Sequence, residues 1–249
     1  MGKITMDIFD GVYNMNLGDQ VNCLIGLAKR VKDNGFPQAA LRDSLYDLSY
    51  ILRRIQELAP ALKMDISSAS RGELNMYWES YKALRFYSQC VLLWSCRILD
   101  MLEAIANIEA SPALKLARHI LVAHYGTANG TLKSKLTREQ GFLQSPKFSP
   151  DGSFQYVIGP LGSPASTASP SEQQIIEGLF KKYCPQKQDF NWWNACYRIL
   201  HQNDYKVSRE DLKQIEKFIR NNGGAITDSQ SAIQCVLDSV EKYLTANVE

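Results

Sequence analysis

The chain has little that marks a common enzyme class. Its 249 residues hold only three histidines, His119, His124 and His201. There is no glycine-rich phosphate loop, no dinucleotide fingerprint, no HExxH and no GxSxG. No apolar run approaches the roughly 18–20 residues that span a bilayer, so no membrane is expected as a partner. The six cysteines are scattered without a close CxxC pair, which fits reduced thiols in a cytoplasmic protein. Cys184, Cys196 and His201 lack paired ligand spacing, and no metal or cofactor is expected. Charge of one sign is missing too. Lys and Arg number 28 against 26 Asp and Glu, a net charge of +2, which excludes capture of nucleic acid by bulk charge. Any such contact must come from a local patch.

What is present is helical rhythm. Leu17, Val21, Leu24, Ile25 and Ala28 share a face, with Asn34–Gly35 as a stop. Leu41, Leu45, Leu48, Leu52 and Ile55 form a second stripe between Pro37 and Pro60. Ser70 and Glu73 make a capping box, and no Gly or Pro interrupts the chain from there to about Ile108. A seven-residue rhythm along that stretch, from Tyr77 to Leu102, marks either core or a dimer seam. Ser111–Pro112 opens a further helix carrying Leu114, Arg118, His119, Leu121, His124 and Tyr125.

Five of the nine prolines fall between Pro146 and Pro170. Within that stretch Pro150-Asp151-Gly152 separates two short alternating segments, which predicts a β-hairpin that either covers a groove or braces the bundle. Helices resume at the Ser169–Glu172 capping box, near 191–201, after Ser208, and from about Asp228, with Asn222–Gly223–Gly224 as a stop. The predicted fold is mainly α: an up-and-down bundle over 1–135, a loop with the hairpin over 136–170, and a C-terminal helical segment over 171–249 packed on the bundle.

One stretch carries chemistry, Arg118-His119-Ile120-Leu121-Val122-Ala123-His124-Tyr125. Arg is a permanent cation whose planar fork suits phosphate. His exchanges a proton near neutrality. Cleaving RNA through its own 2′-hydroxyl needs a base, an acid and a cation on the phosphoryl oxygens. Six residues put Arg118 and His124 about 120° apart on a helix, whereas Tyr125 nearly eclipses Arg118. Two copies of the helix meeting across a two-fold axis complete such a site most easily. Lys115, and beyond the motif Lys133, Lys135 and Arg138, add cations that either track phosphates or sit on a solvated loop. Trp192 and Trp193, with Phe190 and Tyr197, read as core or as base-stacking groups.

This Arg-x5-His stretch resembles the signature of the HEPN superfamily, in which the residue after Arg is usually polar, as His119 is here. The order of two long helices, about 37–59 and 71–108, before the motif helix is similar as well. The resemblance spans about residues 36–130. It implies a helical bundle, dimerisation through the motif helices and often metal-independent cleavage of single-stranded RNA in defence or toxin–antitoxin systems. Carried onto this chain, it makes Arg118 the phosphate ligand, His124 the general acid/base and His119 an accessory polar group. Lys115, Tyr125, Lys133, Lys135 and Arg138 would contact RNA. The implied partners are RNA, a second copy of the chain, and a cognate antitoxin or regulator. The alternative reading is a non-catalytic helical module that binds a ligand or partner protein, with the Arg/His pair structural.

Overall fold

Helix starts in this chain are written into local chemistry. In the computed structural model, which describes residues 15–32, 35–120, 142–149, 151–160, 168–187, 189–202 and 206–246, they fall where caps predict. Asn16 accepts from Asp19 N–H to open α1 (Leu17–Arg30). Pro37 sits in the first turn of α2 (Phe36–Leu58), which runs into a 3₁₀ turn (Ala59–Lys63). The Ser70–Glu73 capping box is complete at the head of α3 (Arg71–Ala106). With no Gly or Pro after Gly72 in its first turn, α3 runs 36 residues, or about 54 Å, and stops at Asn107 in the left-handed region. Ser111 caps α4 (Pro112–Arg118), and the following His119 and Ile120 continue in a wider, π-type turn.

Two strands follow, β1 (Phe142–Phe148) and β2 (Phe154–Pro160), paired antiparallel with Phe148 opposite Phe154. The predicted hairpin therefore forms. After it come α5 (Pro170–Tyr183), opened by the Ser169–Glu172 capping box, then α6 (Trp192–Gln202) and α7 (Arg209–Asn222). The Asn222–Gly223–Gly224 stop ends α7, but the chain does not pass straight into a last helix. Gly224–Asp228 forms a third strand, β3, antiparallel to β2, and α8 (Ser229–Ala246) starts after it. The hairpin is thus part of a three-stranded sheet in the order β1-β2-β3, not a free-standing insertion.

The architecture is mainly helical with this one small sheet. A single apolar cluster runs from Leu17 to Leu244, uniting the stripes of α1 and α2 with Leu84, Val91, Ile98 and Leu102 of α3 and Ile233, Val236 and Val240 of α8. The α3 seam is therefore core from Leu84 onward. Before Leu84 no residue of α3 is buried. There Tyr77, Trp78 and Tyr81 form a half-exposed aromatic ladder that ends on Phe148 of β1, 6.3 Å from Tyr81. The hairpin braces the bundle. Phe154 and Tyr156 are buried, and the Tyr156 hydroxyl donates to the Ser88 carbonyl of α3 at 2.5 Å. Gly152, at the hairpin turn, lies buried against Leu17, Ile55 and Ala59.

Candidate functional site

α4 reaches the surface through its amphipathic spacing. Ala113, Leu114, Leu116, Ala117 and Ile120 face the core, which leaves Lys115, Arg118 and His119 on the outer side. Each of the three meets a carboxylate. Arg118 Nη1 donates to Asp100 Oδ2 at 2.5 Å, and Lys115 Nζ donates to Glu103 Oε2 at 2.7 Å. Asp100 and Glu103 are three apart on α3, and Lys115 and Arg118 are three apart on α4. The pairs are therefore two rungs of one ladder between the helices. The hydrogen bond to Asp100 raises the Arg118 pKa further above its ordinary value.

His119 points the other way. Its Nε2 lies 3.3 Å from Glu216 Oε1 of α7. The same oxygen accepts from Arg220 Nε at 2.8 Å and Nη2 at 2.6 Å. Arg97 stands exposed on α3, one turn before Asp100. The patch therefore sets Arg97, Lys115, Arg118 and Arg220 against Asp100, Glu103 and Glu216. It stays partly open to solvent, with the side chains of Arg118 and Asp100 34% and 43% exposed.

Of the residues singled out in the sequence, the structure brings Lys115, Arg118 and His119 together at the end of α4. His124, Tyr125, Lys133, Lys135 and Arg138 lie outside the described residues, as does Leu121 of the motif helix. Asp100, Glu103, Glu216 and Arg220 are additions that only the structure supplies. The i,i+3 spacing of Asp100 and Glu103, matching that of Lys115 and Arg118, is the signal that could have found the ladder. No comparable signal links His119 to α7, far along the chain.

The aromatic group near Trp192 is mostly packing. Tyr197 is buried, Phe190 and Trp192 lie against the core, and Phe190 meets Phe180 edge-on at 5.6 Å. Cys184 and Cys196 are buried, and among the described residues no group of three His, Cys, Asp or Glu could hold a metal ion. Also among the described residues, no helix is long and apolar enough to cross a membrane.

A second polar cluster lies inside the fold. Asp228, at the end of β3, accepts from the Tyr197 hydroxyl at 2.6 Å, from Ser231 N–H at 2.7 Å and from the Ser231 hydroxyl at 2.8 Å. It thereby caps the first turn of α8. His201 stacks on Tyr197 with ring centres 4.4 Å apart, and its Nε2 is buried with no hydrogen-bond partner among the described residues. Burial pushes the His201 pKa down and that of Tyr197 up. This cluster is a structural joint between α6, β3 and α8.

Comparison with family models, curated proteins and solved structures finds no match to this chain.

Proposed function

We propose that this chain is a HEPN-like, metal-independent endoribonuclease acting on single-stranded RNA as a homodimer, in the manner of a defence or toxin effector. Arg118 binds the scissile phosphate, His124 moves the proton, and His119 assists. The observation that carries the reading is the position of Arg118. It stands at the solvent-facing end of a short helix, after two long helices, with one of its five N–H donors on Asp100 and its side chain a third exposed. A guanidinium so held keeps donors to offer a phosphate in fork geometry. Lys115 beside it and Arg220 across Glu216 extend the cationic rim beyond the motif.

A second reading rests on the same ladder. The Asp100–Arg118 and Glu103–Lys115 rungs fasten α4 to α3, which suits a helical ligand- or partner-binding module whose Arg and His are structural. The chemistry separates the two. Mixed-sequence single-stranded RNA, incubated with the protein in excess chelator, is expected to yield fragments ending in a 2′,3′-cyclic phosphate, because the 2′-hydroxyl is the nucleophile. A 2′-O-methyl version of the same strand should stay intact. No cleavage of either strand, or equal cleavage of both, sinks the ribonuclease reading and leaves the module.

A further inference from the structure

The carboxylates on the patch have a consequence for access, which rests on the ribonuclease reading. A guanidinium cannot tell the planar oxygens of a carboxylate from those of a phosphate except by geometry and charge, so the two compete for the same donors. Asp100 sits 2.5 Å from Arg118, and Glu103 sits 2.7 Å from Lys115. All four side chains are at least a third exposed, with the least open, Arg118, at 34%. Pairs this open to water are weak, so a polyanion can break them. Apolar packing seats α4 as well, through Leu114, Leu116 and Ala117, all buried. The ladder lies across the face that a phosphate backbone must reach to touch Arg118.

We infer that Asp100 and Glu103 act as a built-in substitute for phosphate. They occupy Arg118 and Lys115 in the resting chain and must be displaced before RNA binds. The chain thus holds a cationic site near neutrality until a polyanion with several phosphates in register competes for it. Isolated inorganic phosphate lacks that multivalency and binds poorly. Arg97, exposed one turn before Asp100, is a further cation on α3.

Binding of a non-cleavable 2′-O-methyl 20-mer, measured by fluorescence anisotropy, tests this apart from catalysis. Asp100→Asn keeps the size of the side chain and removes its charge. It should tighten binding about fivefold at moderate salt, the equivalent of one surface pair no longer competing. Glu103→Gln should act in the same direction through Lys115. The gain must vanish in Asp100→Asn/Arg118→Ala. Thermal melts of each variant report whether it folds, and Glu103→Gln carries the test if Asp100→Asn does not. Unchanged or weaker binding in folded Asp100→Asn and Glu103→Gln overturns the inference, since the carboxylates would then orient the cations or merely join the helices. If wild type cleaves RNA in that case, the ribonuclease reading survives alone. If neither wild type nor variant binds the strand, both fall.

Discussion

At the scale of the residue, two titratable groups in this chain have opposite settings. Arg118 is paired and a third exposed, where an ion pair contributes about 1 kcal/mol or less. His201 Nε2 is enclosed and unpartnered among the described residues, so a proton there would carry charge into a poorly solvated site. Burial is the main cause of its lowered pKa, which Asp228 and a backbone hydrogen bond with Ile226 oppose. In the unfolded chain His201 titrates near 6.5, whereas in the folded chain it stays neutral below that. The unfolded state then binds more protons, and stability falls with falling pH. Its contribution is complete above about pH 6.5 and declines as pH drops from there toward the lower folded value. Urea melts between pH 7.5 and 5 should show this decline in wild type and a flatter curve in His201→Phe. Parallel curves would mean that His201 is not held neutral. The Asp228 carboxylate, the Tyr197 hydroxyl and the Ser231 hydroxyl are the polar groups facing this joint from β3, α6 and α8.

At the scale of the element, the helices were legible because their ends are local events. Ser70 with Glu73, Ser169 with Glu172, and Ser208 each cap within three residues, and the structure starts α3, α5 and α7 directly after them. Strand β3 was not legible. Gly224-Ala225-Ile226-Thr227-Asp228 has five residues, begins with a glycine and follows a helix stop. Its strand state comes from pairing with β2, some seventy residues earlier, and every residue in it is buried. Sequence periodicity cannot carry that information over so short a run. The hairpin turn shows the reverse, a local signal with a tertiary burden. Gly152 has φ +89°, and a Cβ placed there would lie 2.7 Å from Leu17 Cδ1 and 3.2 Å from Ala59 Cβ. Both the left-handed backbone and the crowding penalise any side chain. Gly152→Ala should destabilise the protein by about 2–4 kcal/mol, read from chemical denaturation, with the hairpin loosened from α1. A loss under about 0.5 kcal/mol would mean that the turn is not seated between α1 and the 3₁₀ segment.

At the scale of the whole molecule, the near-zero charge takes on a local form. The net +2 is mirrored at the patch, where Lys115, Arg118 and Arg220 each pair with a carboxylate and Arg97 stands exposed on α3. The sequence located the cations Lys115 and Arg118 and the neighbouring His119. It could not show that the carboxylates beside them come from α3 and, for His119, from α7. That second link joins the C-terminal segment to the motif helix and gives a part of the chain with no chemical motif of its own a place beside the site. The proposed ribonuclease activity requires Arg118 and His124 to act together on a phosphodiester. The most direct test is the rate of cleavage of single-stranded RNA in chelator by wild type, Arg118→Ala and His124→Ala, each verified as folded by its thermal melt. The account predicts cleavage by wild type and a loss of about a hundredfold or more in either variant, the scale of a general acid/base or a phosphate cation. Equal rates in all three, or no cleavage by wild type, would contradict it.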